Sequence, residues 1–177
     1  MAESGKLYQN WVRIMTKIYS QQAFQQTLAD LPVKKQRQVG ARFIGNVLDL
    51  TSEPRFRHVL TLLEKPDLTA EELVSAYHSI HALYVQTHPR SDLSRLDYAQ
   101  QAEHFIAEAC LVCLSPVYEE TKIHHLAQKA AMYCCMARTC AGIKHDEQFP
   151  NLAQSQEMLA KEIQDQYRLL SEFLDPA

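Results

Sequence analysis

Hydrophobic positions recur at helical spacing along almost the whole chain, most clearly in two stretches of small and soft side chains. The first stripe comprises Ala99, Ala102, Ile106, Ala109, Cys110 and Cys113. The second stripe comprises Ala127, Ala130, Tyr133, Cys134, Ala137 and Ala141. Because small side chains let two helix backbones approach closely, we expect these two helices to form the centre of an all-helical core.

The same periodicity, interrupted by proline and polar residues, predicts seven helices. They span residues 6–29, 33–50, 53–65, 70–88, 92–114, 117–143 and 151–174. The apolar face of the first helix carries Leu7, Trp11, Ile14, Met15 and Ile18. Ser52 is the expected N-cap of the third helix, and Thr69 with Glu72 forms a capping box at the start of the fourth. The fourth helix should stop at His88, because the residue before Pro89 is pushed out of the helical region.

The length and composition agree with one globular domain. The chain has 177 residues, of which 46% are hydrophobic and 22% charged, and it contains only 4 glycines. No stretch shows strand-like alternation, a fixed repeat or low complexity. We therefore predict a single all-α domain over residues 1–177, a bundle of about seven helices with short connections.

Charge and cysteine content indicate a cytoplasmic protein. The net charge of -3 provides no general attraction to nucleic acid or to an anionic membrane. No apolar run approaches the roughly 18 residues that cross a bilayer, and the first residues lack the apolar core of a secretory signal. The 5 cysteines are odd in number and lie in predicted helices, which favours free thiols over a disulfide framework.

One candidate for chemistry is the pair Cys110 and Cys113. A redox motif places its nucleophile at a helix N-terminus, but these residues lie near a predicted C-terminus, where the helix dipole disfavours a thiolate. A zinc site would need a second pair of matching spacing, and Cys134 is directly followed by Cys135, so that only Cys134 faces the predicted core. Core packing is the favoured interpretation.

A second candidate is a set of histidines with nearby carboxylates. The set comprises His78, His81, His104, His124 and His125, with Glu103, Glu108 and Glu120. A helical wheel places His104 and Glu108 opposite the Ala/Cys stripe, in solvent, and places His81 and His124 at the edges of their apolar faces. Ordinary boundary roles are favoured, and a metal or redox site using His81, His124 and Cys134 remains the alternative.

The third candidate is a cluster of cations that we call the basic run. It comprises Lys34, Lys35, Arg37, Arg42, Arg55 and Arg57, with Asp49 and Glu53 among them. The spacing is that of one solvated helix face followed by a turn. This face would suit an acidic protein partner, and a nucleic-acid-associated regulator using its first four members is a further alternative.

The last predicted helix offers a second surface. Its acidic side chains are Glu157, Glu162, Asp165 and Glu172. They could meet the basic run across a homodimer, and exposed Leu169 and Phe173 would favour that association.

The order of features resembles that of a known protein family. Residues 46–50 (NVLDL), the turn at Pro54-Arg55, the capped segment 67–73 (DLTAEEL) and two Ala-rich helices follow one another. This order is similar to that of the Ala-rich helical immunity proteins encoded beside bacterial polymorphic toxins, and the likeness covers residues 39–141. The resemblance implies stoichiometric binding of a toxin domain without catalysis.

These observations together predict a non-enzymatic cytoplasmic protein that binds a protein partner and needs no cofactor. No G-x-S-x-G elbow surrounds Ser75, Ser79 or Ser115, and no Gly-rich loop precedes a predicted helix. A metal-dependent or redox helical enzyme is the first alternative, and a nucleic-acid-associated regulator is the second.

Overall fold

A computed structural model describes residues 18–89, 97–115, 125–145 and 150–175 of the chain. Its helices are α1 (Gln21–Asp30), α2 (Val33–Asn46), α3 (Pro54–Leu63), α4 (Ala70–Thr87), α5 (Tyr98–Leu114), α6 (Leu126–Ala141) and α7 (Ala153–Leu174). A 3₁₀ turn, Leu48–Leu50, follows α2. Between α6 and α7, the two-residue strands β1 (Lys144–His145) and β2 (Pro150–Asn151) pair antiparallel. The predicted all-α multi-helix bundle is confirmed.

The centre of the bundle is the pair α5 and α6, with α2, α4 and α7 packed around it. The small-residue stripes lie at this centre: Ala109, Cys113, Ala130 and Cys134 are completely buried. Ala99, at the start of the first stripe, is exposed. The close approach extends to α2, since a Cβ atom added to Gly40 would lie 2.6 Å from Cys113 Sγ.

Two of the predicted boundaries of α4 are confirmed. Glu72 N–H donates to Thr69 Oγ1 at 3.2 Å, and Thr69 N–H donates to Glu72 Oε2 at 3.0 Å, which completes the capping box. The helix ends at Thr87, and His88 takes ψ 128° before Pro89. Local chemistry therefore sets both ends of α4.

The predicted N-cap of α3 is wrong. Glu53, not Ser52, occupies the N-cap, and Glu53 Oε1 accepts a hydrogen bond from Arg55 N–H at 3.1 Å. Pro54 takes the first helical position, where its missing N–H costs no hydrogen bond. The start of α3 is thus one residue later than the Ser52 cap implied.

Several helices start later than predicted. α1 begins at Gln21, because Ser20 is extended and its hydroxyl caps the helix by accepting from Ala23 N–H at 3.2 Å. Leu7, Trp11 and the rest of residues 1–17 lie outside the described residues. α5 begins at Tyr98 after the N-cap Asp97, and α6 begins at Leu126 after His125. Residues 90–96 and 116–124 also lie outside the described residues.

Among the helices of the described ranges, none is both long and apolar enough to cross a bilayer.

Candidate functional site

The structure divides the basic run instead of presenting it on one face. Arg37 is only 6% exposed, and its guanidinium donates to Cys113 O at 2.6 Å and Ser115 O at 2.8 Å. These carbonyls end α5 and have no partner within that helix. Arg37 therefore joins α2 to the C-terminus of α5, and the prediction that it lies on a solvated face is wrong.

The other cations of the basic run point to different neighbours. Lys34 Nζ donates to Pro66 O at 2.8 Å. Arg55 forms a bidentate ion pair with Glu53, in which Nε donates to Oε1 at 2.8 Å and Nη2 donates to Oε2 at 2.9 Å. Arg57 is exposed.

Lys35 and Arg42 both lie over the ring of Phe173 on α7, at 5.2 and 5.0 Å from its centroid. Phe173 and Leu169 are half-buried against the core, so the prediction that they are exposed apolar residues is wrong. Lys35 and Arg42 on α2 therefore make cation–π contacts with Phe173 on α7 inside the molecule.

Glu162, one of the residues of the predicted acidic surface on the last helix, is buried. Glu162 is 1% exposed, and its carboxylate accepts hydrogen bonds from Asn46 Nδ2 at 2.8 Å and from Gln166 Nε2 at 3.0 Å. Arg138 on α6 lies 3.3 Å from the same carboxylate. Glu162 therefore links α2, α6 and α7 through buried polar contacts. The prediction that it faces a partner is wrong.

The prediction that His104 lies in solvent is also wrong. His104 is 5% exposed, and its ring stacks on Tyr84 of α4 with a centroid distance of 4.5 Å. The Thr87 hydroxyl donates to Leu83 O at 3.0 Å, and a hydrogen bond of 3.2 Å joins the Thr87 oxygen to His104 Nδ1. Burial, followed by the charge of His88, lowers the pKa of His104.

The residues of the alternative metal-site hypothesis differ in their exposure to solvent. His81 is exposed on α4, where its ring lies 6.1 Å from that of Tyr77, whereas Cys134 is completely buried on α6. His124 lies outside the described residues. Along the described part of the chain, no three His, Cys, Asp or Glu side chains are grouped so that they could hold a metal ion.

The five thiols are free, and burial disfavours their ionised form. Burial raises the pKa of Cys113 to about 12 and that of Cys135 to about 11, and it raises the pKa of Cys110 and Cys134 as well. Because the thiolate is the nucleophile and the metal ligand, these cysteines are suited to packing. This geometry supports the packing interpretation of Cys110 and Cys113.

A groove with a volume of about 540 Å³ lies between α1, α6 and α7, and we call it the α1–α6–α7 groove. α1 contributes Phe24, α6 contributes Met132, and α7 contributes Leu159 and Ile163 to its apolar lining. Gln21, Gln25 and Gln128 add amide groups, while His125 and Lys129 supply the basic ones. Volume and lining are typical of a binding site.

Gln166 is a buried amide among the residues that line this groove. Although it is only 3% exposed, it lines the groove. Its amide NH₂ donates to Ala131 O and Glu162 Oε1, both at 3.0 Å, which identifies the amide nitrogen. Gln166 therefore links α7 to α6 beside the groove.

The sequence pattern did not identify this groove. Its walls come from three helices that are distant in the chain, and its apolar members resemble ordinary core positions. One signal was present in the sequence: Met132 lies outside the Ala/Cys stripe of α6, and the structure shows it 48% exposed at the groove. Methionines on a surface adapt to different partners, which is the use made of them at many binding surfaces.

Comparisons with protein-family models, with curated proteins and with solved structures find no match.

Proposed function

We propose that this protein is a non-enzymatic binding protein that holds an amphipathic helix of a protein partner in the α1–α6–α7 groove. The observation that carries this proposal is the apolar, partly open groove of about 540 Å³ with amide and basic groups among its lining residues. Helix-in-groove recognition uses this combination of an apolar floor and a polar rim.

The dimensions favour a helix over a compact small molecule. α6 lines the groove from His125 to Cys135, and ten helical residues extend over about 15 Å. A helix of three turns would place apolar side chains at successive turns along this length. Met132 is 48% exposed at the edge of the groove, so a bound helix would cover apolar side-chain surface that now contacts water.

The charges at the groove indicate the character of the partner helix. Lys129 is exposed and His125 lies beside it, while no Asp or Glu is among the described residues that line the groove. A partner helix with an acidic flank beside its apolar face would complement this rim. The acidic partner predicted for the basic run is thus proposed for a different surface.

The cellular setting is proposed from the thiols. All five cysteines lie in described helices and are free, which suits a reducing cytoplasm. In the immunity-protein manner, the partner helix would belong to a toxin domain. That identification is supported by the order of features over residues 39–141.

A displayed library of amphipathic helical peptides, selected against the full chain, tests the proposal. We expect enrichment of sequences with apolar residues at i, i+3 or i+4, and i+7, flanked by Asp or Glu. Met132→Lys should weaken binding of the enriched peptides at least about tenfold, which corresponds to about 1.4 kcal/mol.

Met136→Lys is the matched control, because it makes the same change one turn along α6 at an exposed residue that does not line the groove. Equal binding by both variants, or failure to enrich helical sequences, would contradict the proposed function.

A further inference from the structure

We infer that the α1–α6–α7 groove binds its partner helix antiparallel to α6, with the C-terminal turn of that helix at His125 and Lys129. This inference rests on the proposed function and goes beyond it, since it states which end of the bound helix lies at which end of the groove. The described residues give the two ends of the groove different chemistry, and that difference carries the inference.

The polar end of the groove is built around the first turn of α6. Gln128 Nε2 donates to Gln25 O at 2.6 Å, which joins this turn to α1. His125 is the N-cap residue of α6, and Lys129, one turn further along, is exposed and lines the groove. A cationic side chain and the positive end of the α6 dipole therefore lie together at this end.

The opposite end of the groove is apolar. Gln166 Nε2 donates to Ala131 O at 3.0 Å. Glu162, one turn earlier on α7, lies 3.3 Å from Arg138, two turns later on α6, so the two helices run antiparallel. Leu159 precedes Glu162 on α7 and lines the groove, and it therefore lies towards the C-terminal end of α6. The described lining at that end consists of aliphatic and sulfur-containing side chains.

The polar end provides a hydrogen-bond donor, while its amide oxygens already have partners. Tyr167 OH donates to Gln21 Oε1 at 3.0 Å, and a hydrogen bond of 3.1 Å joins Gln128 Oε1 to His125 Nδ1. No Asp or Glu is among the described residues that line the groove. The ammonium group of Lys129 can donate hydrogen bonds but cannot accept them.

This end is complementary to the C-terminus of a helix. The last turn of an α-helix has four carbonyl groups without partners in that helix, whereas its first turn has four N–H groups. The carbonyl groups require donors, which Lys129 supplies, and the N–H groups would require acceptors. The negative end of the partner's dipole would also meet the positive end of α6, and interactions of this kind change affinity roughly two- to fivefold. A terminal carboxylate on the partner helix would add to this attraction.

Paramagnetic broadening in NMR spectra of the isotope-labelled full chain measures the orientation. The probe is the peptide most enriched from the displayed library, synthesised with a nitroxide at its N-terminus or at its C-terminus. We expect the C-terminal label to broaden the amide signals of Gln128 and Lys129 most strongly. The N-terminal label should instead broaden those of Leu159 and Ile163. Met132→Lys should remove both patterns, and reduction of the nitroxide gives the reference spectra.

Changing the charge at each side of the contact provides a second measurement. Amidation of the peptide's free C-terminal carboxylate should weaken binding to the wild-type protein roughly two- to fivefold. The same amidation should weaken binding to Lys129→Gln by less. Lys161→Gln is the matched control, because Lys161 is exposed on α7 and is not among the residues that line the groove. This control should show the wild-type effect of amidation.

The reversed pattern of broadening would overturn the inference and leave the proposed function intact. Equal broadening at both ends by either label would also refute it, because the helix would then bind in both directions. An amidation effect that Lys129→Gln does not reduce would place the peptide's C-terminus elsewhere and contradict the inference. Failure of any helical peptide to bind in the groove would instead refute the proposed function, and the orientation would fall with it.

Discussion

Glu162 on α7 and Arg138 on α6 form an ion pair in the interior, with 3.3 Å between Oε2 and Nε, and the glutamate side chain is fully buried. Arg138 also pairs with Asp49 at 2.7 Å and donates to Asn46 O. The pair thereby joins α6 and α7 to the C-terminus of α2. Helix dipoles support it, since Arg138 lies in the last turn of α6.

We expect Glu162→Ala to lower the free energy of unfolding by about 3 kcal/mol, because removing one partner leaves the other charge poorly compensated. Urea denaturation measures the loss. Glu172→Ala is the control, since Glu172 pairs with Arg168 on the surface of the same helix. Such an exposed pair contributes less than about 1 kcal/mol. Equal losses in the free energy of unfolding for the two variants would show that the buried pair stabilises the fold no more than the exposed pair does.

Gly40 and Cys113 lie at a close contact of α2 with α5. We expect Gly40→Ala to destabilise the protein by about 1–3 kcal/mol, because the new methyl would lie 2.6 Å from Cys113 Sγ. Cys113→Ala removes that sulfur, so the double variant should lose less stability than the sum of the two single variants. Thermal or urea unfolding of the four proteins tests this, and simple additivity would contradict it.

Acidification should destabilise the fold through His104. Its pKa is lowered by burial and by His88, so the folded protein binds this proton less readily than the unfolded chain. Stability therefore falls as the pH drops below the unfolded value of about 6.5 and continues to fall towards the lowered folded pKa. Urea unfolding between pH 7.5 and 5.5 measures the slope, and His104→Phe should flatten it.

The groups around His104 make that comparison specific. Tyr84 and His88 face it from the α4 side, while Glu108 lies one turn along α5 with a pKa raised by burial. Burial raises the pKa of Tyr133 on α6, and the charge of Glu108 adds to this. All four remain in the His104→Phe variant, so the difference between the two slopes belongs to His104. Equal slopes would contradict the prediction.

The thiols should react in an order set by burial. We expect Cys110, Cys113 and Cys134 to resist iodoacetamide in the native protein at pH 8, because they are completely buried and ionise only at high pH. Cys135, half-buried at the groove, should react slowly, and a bound helix should protect it further. Mass spectrometry after timed alkylation gives the order. Rapid labelling of Cys113 would contradict the prediction.

Helical-wheel reasoning was correct where burial involves one face and wrong where a helix is enclosed. α5 packs against α4, α2 and α6, so its buried residues surround most of the helix and include His104. A wheel drawn from the Ala/Cys stripe assumes a polar back and therefore assigned His104 to solvent. A helical wheel also could not predict the burial of Arg37. The backbone oxygen of Cys113, to which Arg37 donates, lies 76 positions further along the chain and on another helix.

The sequence by itself determined the helical class, the small-residue centre of the bundle and both ends of α4. These features depend on residue spacing and on contacts within one helical turn, as between Thr69 and Glu72. Only the tertiary structure decided that Glu162 is buried and that Phe24, Met132 and Ile163 line one groove. Those outcomes depend on how distant helices pack, and a single sequence does not encode that packing in any local pattern.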